Sequence, residues 1–189
     1  MSGPVRIGAV LMASGAGTRF GSNKLLAEVE GVSLIQRTFS ALPAHLFARA
    51  VVVSRYPELL DQAARAGYHA FENPLSHLGQ SVSITLGLAA LEDMDGVLFA
   101  VCDQPWLTRE SVRRLLSTFR ADPTRITALG WQGTRGNPVI FPPDLFPALF
   151  DLEGDTGGGA VIRAHPHRLV VVEVGSADEL RDVDRPHDL

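Results

Sequence analysis

The stretch Val5 to Met12 is nearly all apolar and stops abruptly at a loop, Ala13 to Lys24, that carries three glycines, an arginine and a lysine. An apolar run of this length bounded by glycine reads as a strand buried on both faces, as in a parallel sheet. After the loop, Ser33 to Leu42 patterns as a helix. The order is strand, polar glycine loop, helix, and it commits the start of the chain to the middle of an α/β layer.

The pattern continues along the chain. Ala50 to Ser54 and Gly96 to Cys102 read as strands, with helical stretches at Glu58 to Ala66 and Ser81 to Leu91 between them. Later, Ser111 to Arg120 reads as a helix, and Ile126 to Trp131, Val139 to Phe141 and Leu169 to Val174 read as strands. This alternation predicts an α/β fold with a doubly wound, mostly parallel sheet, whose ligand site lies at the carboxyl ends of the strands. No internal repeat, low-complexity tract or linker divides the chain, so one domain over 1–189 is expected.

Composition narrows the partners. A formal net charge of -4 argues against nucleic acid, which needs basic groups to neutralise many phosphates. No apolar run approaches the roughly 20 residues of a membrane span, and the first residues lack a signal-peptide pattern, so a cytoplasmic location is expected. Cys102 is the single cysteine, which excludes an intramolecular disulfide and a cysteine-rich metal site. Any bound metal should have oxygen ligands.

Three readings compete for the glycine loop. A dinucleotide turn needs Gly-x-Gly-x-x-Gly and an acid about 20 residues further on, but the spacing is Gly15, Gly17, Gly21, and the second strand runs into Ser54-Arg55-Tyr56. A Walker loop needs Gly-Lys-Ser/Thr, but Lys24 lies between Asn23 and Leu25. What remains is a loop whose amides face phosphate oxygens, with Arg19 and Lys24 supplying positive charge to a triphosphate. A plain surface turn would not call for two cations among so many glycines.

Carboxylates come from two places. Asp103 sits just beyond the wholly apolar strand ending at Cys102, where it could hold Mg²⁺ together with waters and substrate phosphates, or simply start the Asp-Gln-Pro turn. Near the end, Asp182 and Asp184 flank Val183; either could face the cleft, or the segment could cap a final short helix beginning at Pro186. Alternation turns Cys102 to the opposite face from Asp103, as a buried thiol. His77, a loop histidine without an evident carboxylate partner, reads as solvent-exposed.

Leu11-Met12-Ala13-Ser14-Gly15-Ala16-Gly17-Thr18-Arg19-Phe20-Gly21-Ser22-Asn23-Lys24 and Asp103-Gln104-Pro105 together resemble the MobA-like nucleotidyltransferases, and among them the molybdenum cofactor cytidylyltransferases. The resemblance continues through Glu72-Asn73-Pro74, Gly79 to Ser83, Gly136-Asn137-Pro138-Val139, Gly154 to Gly158 and Asp184 to Leu189, in the family's order. It implies a Rossmann-like nucleotidyltransferase fold and attack of an acceptor phosphate on the α-phosphorus of a nucleoside triphosphate, CTP being favoured, with Mg²⁺ as cofactor. It assigns Arg19, Lys24 and Asp103 to catalysis, Asp103 and Asp184 to the metal, and Ala13, Ser14, Gly15, Ala16, Gly17, Arg19, Lys24, Gln80 and Ser81 to the nucleotide. Ser81 could equally cap its helix. The implied acceptor is a molybdopterin-type cofactor, with room for a molybdoenzyme partner.

Two places depart from the family's pattern. Many members carry Ala-Arg where this chain has Gly158-Gly159, so one phosphate-binding arginine is missing, and Ser14 replaces a glycine common in guanylyl-transferring members, which tilts the base toward cytosine. Two other functions fit the same residues: transfer to another phosphorylated acceptor, and a non-catalytic nucleotide-binding protein that delivers a cofactor.

Overall fold

A computed structural model describes residues 3–15 and 23–188 of the chain. A seven-stranded sheet forms its centre: β1 (Ile7–Met12), β4 (Arg49–Ser54), β5 (His69–Glu72), β6 (Gly96–Val101), β7 (Ile126–Trp131), β8 (Thr134–Phe141) and β9 (Leu169–Glu173), in the order β5-β4-β1-β6-β8-β7-β9. The remaining two strands, β2 (Glu28–Val29) and β3 (Val32–Ser33), form a hairpin turned through Glu30 and Gly31, both with positive φ. In the large sheet, β8 alone runs against its neighbours, pairing antiparallel with β6 and β7. The α/β, mostly parallel reading therefore holds.

From β1 the chain moves outward to β4 and β5, then returns to place β6 on the other side of β1. The order reverses between β1 and β6, and the crevice at their carboxyl ends is where such sheets bind ligands.

Strand alternation assigns the two cores. Ile7, Ala9 and Leu11 point to one face, where they meet α1 (Leu34–Ala41), α2 (Pro57–Arg65) and α4 (Arg109–Ala121) through Leu34, Ile35, Leu59, Leu115 and Phe119. Val10 points to the other face, against α3 (Gln80–Ala89), α5 (Phe146–Phe150) and α6 (Gly159–Ala164), with Ile84, Leu88, Leu149 and Ile162 around it. Burying each such leucine or isoleucine contributes about 1.5–3 kcal/mol. Two helices start on side-chain caps: the Ser33 hydroxyl accepts from Gln36 N–H, and Thr108 accepts from Ser111 N–H. α3 lies close on β1 because Gly87 has no side chain; a Cβ there would come within 2.4 Å of Val10 Cγ1.

Candidate active site

A cleft of about 550 Å³ opens at the carboxyl ends of β1 and β6, walled by Ser14, Gly15, Lys24, Gln80, Ser83, Asp103 and Asp155 among others. Its floor is a charge cluster assembled from three distant parts of the sequence. Lys24 begins a single 3₁₀ turn, Lys24–Leu26, whose N-cap Asn23 accepts from Leu25 N–H while its side-chain amide donates to Glu58. Leu25, 5% exposed, seats that turn in the core. Asp103 follows β6, with its carbonyl accepting from Val183 N–H at 2.9 Å. Asp184 comes from the end of the chain.

The Lys24 ammonium donates to Asp103 Oδ2 at 2.6 Å and to the Val183 carbonyl at 3.2 Å, and lies 3.5 Å from Asp184 Oδ1. Burial alone would lower the pKa of this ammonium, but the hydrogen bond and charge of Asp103, with those of Asp184, outweigh it and hold the value above the usual lysine range. Asp103 Oδ1 is buried with no hydrogen-bond partner. A buried carboxylate oxygen left unmatched in this way is costly unless something else meets it.

The last segment is tied down beside Asp103. The buried Glu179 carboxylate accepts from Thr108 N–H and Oγ1 and from Gly175 N–H; burial opposes its charge, but these bonds prevail and its pKa falls. Gln104 donates to the Leu180 carbonyl and to Asp182 Oδ1, and the Arg181 guanidinium lies 3.8 Å from the Trp106 ring centroid. Trp106 therefore anchors this segment. Val183 is fully buried, so Asp184 is directed to Lys24 and Asp182 to Gln104. Burial, and next the charge of Asp103, raises the Asp182 pKa. The capping expected of this segment is also present, but Asp188 performs it, accepting from the N–H groups of Asp184 and Arg185.

Among the described residues no group of three His, Cys, Asp or Glu side chains is arranged to hold a metal. Asp103 and Asp184 nonetheless suit a hard dication with further oxygens from a ligand: both carboxylates already face one cation, and Oδ1 of Asp103 is unsatisfied.

The MobA-like NTP transferase domain model matches residues 9–169. The chain belongs to this family. Among curated proteins it is similar to the purine catabolism protein PucB of Bacillus subtilis, 26% identical, with 100% of this chain and 96% of the relative aligned. It is also similar to nicotine blue oxidoreductase of Paenarthrobacter nicotinovorans, 27% identical over 93% of this chain and 90% of that protein. Among solved structures, a nucleotidyl transferase from Methanothermobacter superposes with a TM-score of 0.80 at 24% identity, covering 97% of this chain and 94% of that one, a likeness of fold.

In this MobA-like chain the residues expected to hold a nucleotide fall into three groups. Ser14, Gly15, Lys24 and Gln80 line the cleft. Ala13 and Ser81 do not: the Ala13 N–H is already bonded to the Val53 carbonyl, and Ser81 is buried, its N–H donating to Gly154. Ser83, which shares the nucleotide-facing stretch with Gln80 and Ser81, does line the wall, its hydroxyl accepting from the buried Asn73 amide. Ala16, Gly17 and Arg19 lie outside the described residues. His77 is exposed as expected yet stands at the cleft wall, beside the loop in which Gly79, with φ +112°, passes against Gly154. Cys102 is buried, and burial, with the Asp103 charge, raises its pKa far above the usual thiol value, so it stays neutral. Among the described residues no helix is long and apolar enough to cross a membrane.

Asp182, the other carboxylate that could have faced the cleft, is held by Gln104 instead, a pairing the sequence does not announce, and Arg135 did not stand out in the sequence at all. The antiparallel extension of β8 toward Thr134 brings Arg135 to a recess beside the cleft, and the sequence around Gly136 holds no apolar run to announce a strand.

Proposed function

We propose that this nucleotidyltransferase moves CMP from CTP to the phosphate of a molybdopterin-type acceptor. An acceptor phosphate oxygen attacks the α-phosphorus; the new P–O bond forms as the bond from the α-phosphorus to the bridging oxygen breaks, and that oxygen leaves with pyrophosphate. Such transfers depend on positioning and on neutralising phosphoryl charge rather than on a protein nucleophile. The observation that carries the reading is the buried, unpartnered Oδ1 of Asp103 at the floor of the cleft, beside Lys24 and Asp184.

Each residue has a stated task. Asp103 and Asp184 would hold Mg²⁺, whose charge would offset that of the phosphates. Lys24, and by resemblance Arg19, would bind the triphosphate, while Gly15 and Gln80 would contact nucleotide from the wall. Ser14, whose buried hydroxyl donates to the Val53 carbonyl, favours a pyrimidine by resemblance, because guanylyl-transferring members tend to have glycine there. Composition supports the cytoplasm, and a molybdoenzyme is the natural recipient of the product.

The oxidoreductase name of one relative finds little support in a dinucleotide site here. β4 ends at Ser54 and continues into Arg55, which offers no carboxylate to a ribose.

The test is pyrophosphate release with CTP, GTP, ATP and UTP in turn, in the presence of Mg²⁺ and molybdopterin or its molybdenum-loaded form. Release selective for CTP is expected. Selectivity for GTP would overturn the cytidylyl assignment, and tight binding with no release under any pairing would favour a delivery protein.

A further inference from the structure

A second concentration of positive charge lies away from Lys24, and among the described residues no carboxylate is paired with it. Arg135, Asn137, Val139 and Phe141 alternate along β8 and face α3, α5 and α6, where they wall a recess of about 80 Å³. The recess shares Met12, Gln80 and Val101 with the recess's neighbour: Met12, Gln80 and Val101 also wall the nucleotide cleft. On its other side, Arg135 and Asn137 also wall an open groove of about 580 Å³ with Gln104, Trp131 and Asp182. Arg135 thus stands between two open volumes.

The loop opposite has been stripped of side chains. A Cβ on Gly157 would fall 1.9 Å from Gln80 Oε1, and one on Gly158 would fall 2.9 Å from Phe141. A Cβ on Gly159 would fall 2.9 Å from Arg135 Nη2 and 3.5 Å from Arg163 Nη1. Two guanidiniums therefore converge on one point over Gly159. Neither has an ion-pair or hydrogen-bond partner among the described residues, whereas Arg37, Arg49 and Arg168 are each paired with a carboxylate. Arg135 is half-buried and Arg163 exposed, so water reaches both groups; an anion seated between them would gain from both charges, and the guanidinium fork suits phosphate.

We infer that Arg135 and Arg163 form an anion subsite over Gly159 that takes the phosphate of the acceptor. The inference rests on the transferase reading for the identity of the anion's owner. The Arg135 cation reaches this place from β8, and a side chain at Gly159 would push it aside.

The experiment follows the arginine side-chain Nε signals of labelled protein while inorganic phosphate is added, with the nucleotide cleft saturated by CTP and Mg²⁺. Arg135 and Arg163 should shift together, and Arg135→Gln with Arg163→Gln should weaken phosphate binding by about tenfold or more. In turnover, each single variant should raise the acceptor KM by about tenfold and leave the CTP KM within about twofold. Gly159→Ala should do the same with an unchanged thermal midpoint. Phosphate binding unaltered in the double variant would overturn the subsite. Competition between phosphate and CTP, with a raised CTP KM, would overturn its assignment to the acceptor. A wild-type protein that binds phosphate at the pair but binds none of CTP, GTP, ATP and UTP would leave the subsite standing and sink the transferase reading instead.

Discussion

The two cationic places in this molecule are built on opposite plans. Lys24 is enclosed by acceptors: Asp103, the Val183 carbonyl and Asp184 all face its ammonium. Arg135 and Arg163 both reach the space over Gly159, and among the described residues neither has an ion-pair partner. A cation paired with carboxylates can exchange partners: under the proposed function Asp103 and Asp184 would hold the metal, and the Lys24 ammonium would be free for phosphate. An unpaired pair of guanidiniums has nothing to exchange and gains only when an anion comes from outside.

Several changes would break or sharpen that contrast. The largest effect belongs to Asp103→Asn, which keeps the shape but removes the charge common to metal and lysine; turnover should fall by about a hundredfold or more, measured as pyrophosphate release. A fall of only a few-fold would mean that Asp103 is the acid of a turn. Next, Lys24→Ala should lower turnover by more than about tenfold and yet tighten Mg²⁺ binding to the nucleotide-free protein, since the ammonium no longer competes for Asp103 and Asp184. Weaker Mg²⁺ binding by calorimetry would show that the lysine does not hold the metal's place.

A smaller effect is expected from Asp184→Ala, because Asp184 keeps 57% of its side-chain surface exposed. The Mg²⁺ concentration for half-maximal rate should rise by about a few-fold, with little change in the maximal rate. A normal magnesium response would remove this residue from the metal site. The smallest effect concerns stability. The pKa of Lys24 is raised in the folded protein, so its contribution is complete below the ordinary value of 10.5 and is lost as pH rises through the folded value. Thermal midpoints of wild type and Lys24→Met should therefore converge at pH above about 10.5 and separate below it; curves parallel throughout would mean that the ion pair adds nothing to stability.

How legible these features were in the sequence depended on how local their causes are. β1, β4, β6 and β7 are apolar runs buried on both faces, and they stand within a residue or two of where the pattern puts them. β5 escaped notice because all four of its residues are exposed at the sheet edge, so it has no apolar signature. α5 and α6 are only 5 and 6 residues long, too short for a helical period to emerge. In the site, Lys24 and Asp103 stood out through their positions after strands. Ser81 and Ser83, two residues apart, lie on nearly opposite faces of α3, and which of those faces meets the cleft is set by how the helix packs on the sheet rather than by the sequence.

By itself the sequence determined the layer architecture, the carboxyl edge of the sheet, and the candidacy of Lys24 and Asp103, because these follow from local hydrophobic pattern and from the polar residues that follow each strand; Asp184 was preferred to Asp182 only through the family resemblance. Only the tertiary structure decided that Lys24 and Asp103 share a 2.6 Å ion pair, that Asp184 joins them, and that Arg135 meets Arg163 over Gly159. Those contacts join residues far apart in the chain, and their distances are set by the strand order β1-β6-β8 and by the Glu179, Gln104 and Trp106 contacts that fix the last segment.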